Sequence, residues 1–129
     1  MIRFLAPCAL LLATACVGDE SVAKYGAADK VWTLTEIDGT AFATRATLEF
    51  GKDGQVSGQA PCNRYSAKQS APYPWFKLGP VLSTKMACAA LESERTFFSA
   101  LEAMTLSEVS QNTLILSNDQ GRAMVFKSE

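Results

Sequence analysis

Apolar and polar side chains alternate along most of the chain from residue 31 onward, with a period of two residues. This period is typical of strands that bury one face and expose the other. Trp32 and Leu34 share one face of the first such run, and Leu48 and Phe50 share one face of the next. Turn signals rich in Gly, Asp and Asn separate the runs. The pattern therefore predicts a mostly β structure with short connections.

The final part of the chain predicts a three-stranded meander. Its strands are expected at residues 106–109, 113–116 and 122–127. The segment Asn118-Asp119-Gln120-Gly121 is a turn signal between the last two strands.

One segment breaks the two-residue alternation and has the spacing of a helix. Its apolar residues recur at steps of three and four and are Leu91, Phe97, Phe98, Leu101 and Met104. Its polar residues fall on the opposite side and include Glu92, Arg95, Ser99 and Glu102. This pattern predicts one amphipathic helix over about residues 90–104, packed on the sheet. The predicted fold class is α+β, mostly β.

The amino-terminal segment has the pattern of a secretory signal peptide. Arg3 gives it a positive start, an apolar run follows at residues 4–13, and small residues precede Cys16. The run is too short to span a bilayer, which needs about 20 apolar residues. We therefore expect residues 1–15 to be a signal peptide. A buried amino-terminal core helix is the alternative.

The residues around Cys16 resemble a bacterial lipobox. The resemblance implies that Cys16 is acylated and becomes the first residue of the mature protein, and Val17 after it implies the outer membrane. Ordinary cleavage after Ala15, which gives a soluble periplasmic protein, is the alternative. Residues 16–29 are small, polar and aperiodic, so we expect a lipidated flexible tether. Residues 30–129 then form the domain.

Composition and charge argue against several classes of function. The 129-residue chain has a formal net charge of −1, which gives no basic surface for nucleic acid. It contains no histidine, the commonest general base and metal ligand. The adjacent Ser83, Thr84 and Lys85 point apart on a strand, and we expect Glu92, Glu94 and Glu102 to form a solvated helix face. We therefore expect no enzyme, no metal and no cofactor.

Two cysteines remain for the mature domain once Cys8 leaves with the signal peptide and Cys16 is acylated. These are Cys62 and Cys88, and an even pair in an oxidising compartment predicts a disulfide. Free buried thiols, a redox pair and half of a metal site are the alternatives.

Two sequence runs and the helix together resemble a known family. The runs are VSGQAPCNRY at residues 56–65 and LSTKMAC at residues 82–88, and the helical pattern follows them. The chain resembles the META domain of HslJ-like proteins over roughly residues 30–127. The resemblance implies an antiparallel, partly closed β-barrel-like sheet with one packed helix. It also implies an envelope location and a link to stress or envelope integrity, but no accepted enzymatic activity or ligand.

The signature residues of this resemblance are expected to be structural rather than ligand-binding. They are Gly58, Asn63, Tyr65, Thr84 and Met86. The Asn63 amide can hydrogen-bond to exposed strand backbone through both of its ends, and Gly58 suits a close approach of backbone. Thr84 is expected to turn the chain before Met86 enters the core.

Three hypotheses for function follow. The first is a non-enzymatic lipoprotein of the cell envelope, in the outer membrane and facing the periplasm, that acts through an envelope protein partner. The second is a carrier of a small apolar ligand or lipid, comparable to pilot-type lipoproteins, with Tyr73, Trp75 and Phe76 as its exposed candidate surface. The third is an inhibitor of a cell-wall hydrolase. None of the three involves nucleic acid.

Overall fold

The computed structural model describes residues 20–129. In this part of the chain, nine β-strands, one α-helix and two short 3-10 helices follow one another. The strands are β1 Trp32–Ile37, β2 Thr40–Ala41, β3 Thr47–Phe50, β4 Gln55–Gln59, β5 Arg64–Lys68, β6 Leu82–Ser83, β7 Leu106–Ser110, β8 Thr113–Ser117 and β9 Ala123–Lys127. The helix α1 spans Leu91–Ala103, and the 3-10 helices span Val22–Tyr25 and Lys52–Gly54. The predicted fold class, meander and helix are confirmed.

All strands belong to one antiparallel sheet with the order β6-β5-β4-β3-β1-β9-β8-β7, and β2 pairs with β1. The sheet does not close, but residues 74–79, here called the seam segment, lie between its two ends. Trp75 forms a bridge with Leu106 of β7, and Leu78 forms a bridge with Gln69, next to the end of β5. The expected partly closed, barrel-like sheet is therefore confirmed.

The core lies inside the curled sheet and is filled by large side chains. Trp32, Leu34, Leu48 and Phe50 all point inward, as the alternation predicts. The bulkiest fully buried apolar residues are Trp32, Phe76, Phe97, Phe126, Leu48, Leu101, Leu114, Leu116 and Met124. Burying one such side chain stabilises the fold by about 1.5–3 kcal/mol, so this interior dominates the stability of the domain.

The helix α1 covers one end of the sheet with its apolar side. Phe97 and Leu101 are fully buried, and the Phe97 ring lies 5.5 Å from the Tyr65 ring. Arg95 and Glu102 face outward, as expected from the pattern. The helix thereby carries its first turn to the loop that precedes β5.

The segment before β1 is packed against the sheet. Val22 and Ala27 are fully buried, and the Trp32 indole nitrogen donates to the Ala27 carbonyl oxygen at 2.9 Å. The Glu20 carbonyl oxygen accepts a hydrogen bond of 2.7 Å from the Tyr73 amide. The indole and the amide need these acceptors because each loses its hydrogen bonds to water when the segment packs against the sheet.

This packing corrects the predicted tether of residues 16–29. From residue 21 on, the segment belongs to the folded domain, so the expected boundary at residue 30 is wrong. Residues 16–19, with the proposed acylation at Cys16, and the predicted signal peptide at 1–15 lie outside the described residues. Within residues 20–129, no helix is long and apolar enough to cross a membrane.

Candidate functional site

Asn63 is the centre of a buried polar cluster between the start of β5 and the loop after β6. Its Nδ2 donates to the Met86 carbonyl oxygen at 3.0 Å and to the Glu94 carboxylate at 2.7 Å. Its Oδ1 accepts from the Thr84 hydroxyl at 2.8 Å and from the Met86 amide at 2.7 Å. An amide side chain offers two donors and two acceptor sites, so Asn63 uses this capacity entirely within the chain.

Glu94 supplies the negative end of this cluster from the first turns of α1. One carboxylate oxygen accepts from the backbone amides of Cys62 and Asn63, at 3.0 and 2.7 Å, and the other accepts from Asn63 Nδ2. Its side chain is buried, with the residue 5% exposed. The expectation that Glu92, Glu94 and Glu102 form one solvated face is therefore wrong for Glu94 and confirmed for the other two.

A sequence signal for this burial existed. Leu91, Glu94, Phe97 and Leu101 follow one another at steps of three, three and four. Residues with this spacing share one face of a helix, and here that face is the apolar one. An acidic residue on an apolar face needs buried donors, which the amides at the start of β5 provide.

A disulfide between Cys62 and Cys88 lies next to the cluster, as predicted, with its Cα atoms 5.7 Å apart. Cys62 is buried and Cys88 is exposed. The bond and the Asn63 hydrogen bonds together fix the loop at residues 84–88 to the start of β5.

Tyr65 and Gly58 connect the cluster to the sheet. The Tyr65 hydroxyl donates to the Thr47 carbonyl oxygen at 2.7 Å, and burial, followed by the charge of Glu49, raises the pKa of Tyr65 above its ordinary value. A Cβ atom added at Gly58 would collide with the same Thr47 carbonyl oxygen and would lie 3.0 Å from the Tyr65 ring. The expected close approach of backbone at Gly58 is therefore present.

Met86 departs from its expected place. Its backbone bonds to Asn63, but its side chain is 65% exposed instead of entering the core. The reason is that the Asn63 amide holds the loop backbone against β5, which leaves the side chain on the outside. Leu82 in β6 is 72% exposed on the same edge of the sheet.

The structure removes one residue from the three aromatic residues predicted as one exposed surface. Phe76 is 2% exposed and belongs to the core, which corrects the expectation for this residue. Tyr73 is half-buried, and its ring stacks on Tyr25 at 4.6 Å between centroids. Trp75 alone of the three is well exposed, at 57%. Adjacent residues of an extended chain point to opposite sides, so Trp75 and Phe76 cannot share a surface.

The outer face of β5 and β6 forms a shallow groove lined by Arg64, Ser66, Leu82 and Thr84. Arg64 makes no ion pair with any residue in the described part of the chain. Residues 20–129 contain no group of three or more His, Cys, Asp or Glu side chains that could hold a metal ion. The groove therefore offers a mixed apolar and cationic surface.

The family model of the META domain matches residues 26–129, which includes the polar cluster and every strand that the structure describes. The chain belongs to the META domain family. Its META domain begins four residues earlier than the sequence pattern predicts. No curated protein sequence matches the chain significantly.

Solved structures share the fold of this META domain. A protein from Burkholderia xenovorans, determined by NMR, superposes with a TM-score of 0.68 at 24% identity, over 84% of this chain and 87% of that one. A DUF4847 family protein from Bacteroides vulgatus ATCC 8482, determined by crystallography, superposes with a TM-score of 0.64 at 12% identity, over 83% and 96% of the two chains. At these identities the similarity concerns the fold alone.

Proposed function

We propose that this META domain is the non-enzymatic module of a membrane-anchored envelope lipoprotein that is linked to the stress response or to envelope integrity, and that it acts by binding an envelope protein. The lipobox resemblance at Cys16 supports the anchor. The disulfide supports an oxidising compartment, because such bonds persist outside the cytoplasm. Family membership supports the link to stress or envelope integrity.

The observation that carries the proposed binding activity is the open edge of β6. This strand pairs with β5 on one side, and no other described strand pairs with its second side. Leu82 and Met86 expose large apolar side chains along this edge. The Asn63 cluster and the disulfide hold the edge rigid, which lowers the entropy that a partner must remove on binding.

The charge beside this edge favours an acidic partner segment. Arg64 lines the neighbouring groove without an ion pair among the described residues, and Lys85 is exposed between Leu82 and Met86. An extended chain can add to an open sheet edge through backbone hydrogen bonds, with side chains supplying specificity. We infer that the partner presents an extended segment with acidic residues.

The carrier and inhibitor hypotheses have less support. A carrier needs space inside the sheet, and that interior contains Trp32, Phe97, Phe126 and the other large core side chains. Phe76, one of the residues assigned to the carrier surface, is part of this core. No observation on the described residues favours inhibition of a cell-wall hydrolase.

Photo-crosslinking in cells tests the proposed binding. A photoreactive phenylalanine is placed at Leu82 or Met86 of the full chain, and at Gln120, an exposed turn residue, as the matched control. We expect a discrete crosslinked product at 82 and 86 that is absent at 120. Replacing Arg64 with Glu should reduce that product. Equal products at all three positions, or none at 82 and 86, would refute binding at this edge.

A further inference from the structure

A second surface lies on the β7 side of the seam segment and is formed by Tyr25, Tyr73 and Trp75, here called the aromatic patch. Tyr25 and Trp75 are each 57% exposed. The Tyr73 ring stacks on Tyr25, and the Tyr73 hydroxyl accepts a 3.4 Å hydrogen bond from the Val109 amide. The open edge of β6 lies farther along the same stretch of chain, because Leu78 is opposite Gln69 and Leu82 is opposite Ser66 on one edge of β5.

The chain enters the folded domain directly at this patch. Glu20 is the first described residue, and its carbonyl oxygen accepts a hydrogen bond from the Tyr73 amide. Only residues 17–19 separate it from Cys16. Four residue steps span at most about 14 Å, whereas a domain of this size has a radius of gyration of about 13 Å. An anchor at Cys16 therefore leaves too little chain for the domain to turn its other faces toward the membrane.

We propose that the aromatic patch rests on the headgroup region of the bilayer that holds the lipid anchor. This inference rests on the acylation of Cys16 contained in the proposed function. Trp and Tyr side chains prefer the membrane–water interface, where the ring meets apolar surface and the polar atom stays hydrated. Lys24 and Lys77 are exposed beside Tyr25 and Trp75, and their charges favour anionic lipid headgroups, which offsets the acids Asp19 and Glu20 of the entry segment.

The chain contains the reporters that this proposal needs. It has two tryptophans, of which Trp32 is fully buried and Trp75 is in the patch. The mature lipoprotein is reconstituted in vesicles of phosphatidylcholine and phosphatidylglycerol, with the phosphatidylcholine brominated near the top of its acyl chains. Bromine quenches tryptophan only at short range. We expect the brominated lipid to remove roughly half or more of the Trp75 emission, as for an interfacial residue, and to leave Trp75→Phe, which keeps only Trp32, unquenched.

A matched control places the reporter on the far side of the sheet. Glu49 is exposed on β3, in the middle of the strand order and hence away from the seam. In the Trp75→Phe background, Glu49→Trp should not be quenched by the brominated lipid. Equal quenching at positions 49 and 75 would overturn the proposed orientation.

The intact mass of the reconstituted protein separates this inference from the proposed function. An acylated Cys16 with an unquenched Trp75 overturns the membrane contact and leaves the lipoprotein proposal standing. An envelope protein as the occupant of the patch would give this same result. A protein without acyl chains refutes the anchor itself, and the membrane contact fails with it.

Discussion

Replacing Glu94 tests whether the buried polar cluster holds the domain together. Glu94→Ala removes the acceptor of three hydrogen bonds, from the Cys62 and Asn63 amides and from the Asn63 side chain. Breaking a buried charged network costs about 3–5 kcal/mol, because the remaining donors stay buried without partners. Glu94→Gln keeps one acceptor oxygen but turns an NH2 group toward Asn63 Nδ2. We expect it to cost about 1–3 kcal/mol.

Urea unfolding of the oxidised domain measures both effects, with the fluorescence of buried Trp32 as the reporter. Thermal unfolding gives a second measure. For a domain of about 100 residues, a change of 1 kcal/mol corresponds to roughly 4 °C in Tm, so Glu94→Ala should lower Tm by about 12–20 °C. Glu102→Ala is the matched control on the exposed side of the same helix. It should change the free energy of unfolding by less than about 0.5 kcal/mol.

One result would refute this reasoning. If Glu94→Ala unfolds within about 1 kcal/mol of the original protein, the cost of burying the carboxylate offsets what its hydrogen bonds contribute. The cluster would then orient the β6 loop without stabilising the fold. A loss of stability in Glu102→Ala as large as in Glu94→Ala would instead point to the helix as a whole.

Three further predictions concern the surrounding signature. Gly58→Ala should destabilise the domain by about 1–3 kcal/mol in the same urea assay, because its Cβ would collide with the Thr47 carbonyl oxygen. Gly79→Ala is the control and should be nearly neutral, because the added atom makes only a 3.4 Å contact. Removing the disulfide by replacing both cysteines with Ala opens a 26-residue separation and should cost about 3.5 kcal/mol in the chain-entropy model; an unchanged urea midpoint would contradict it. Burial raises the pKa of Tyr65 in the folded state, so the unfolded state releases this proton first and stability falls as pH rises above about 10, by up to about 1.4 kcal/mol per pH unit. Tyr65→Phe lacks the titrating group. The difference between the two proteins in how the free energy of unfolding changes above about pH 10 therefore isolates this slope.

The sequence predicted the regular elements because their patterns are long and unambiguous. Trp32 and Leu34 alternate with polar residues, and Phe97 and Leu101 recur at helical spacing, so burial of one face determines the local structure. The disulfide was predictable from the even number of cysteines in the expected mature chain and from the oxidising compartment that the signal-peptide pattern predicts.

The errors fall where tertiary contacts override local pattern. The 3-10 helix at Val22–Tyr25 has only four residues, too few for a period to show, and its contact with Tyr73 through the Tyr25 ring joins segments that lie far apart in the chain. Met86 looks like a core residue by its side chain, yet the two backbone bonds to Asn63 place it outside. Hydrogen bonds between segments that are distant in the chain cannot be predicted from the spacing of apolar residues.

Glu94 was misassigned for a different reason. Its acidic neighbours Glu92 and Glu102 are solvated, and composition alone grouped the three together. The helical spacing from Leu91 to Leu101 placed Glu94 on the apolar side, so the spacing contained the correct answer. An acidic residue on such a face therefore indicates a buried acceptor that needs donors elsewhere in the chain.

The position of β9 determines when the sheet can be completed. β1 lies at the centre of the sheet, and one of its two long neighbours is β9, with Leu34 opposite Phe126. Pairing across so long a stretch of chain must overcome a large loop-closure entropy and is therefore slow. In the export route proposed here, the amino end crosses the membrane first, and β1 waits for its partner until residue 127 has followed. On that proposed route, this order of strands would delay completion of the sheet until residue 127 has crossed the membrane, into the compartment where the disulfide is expected to form.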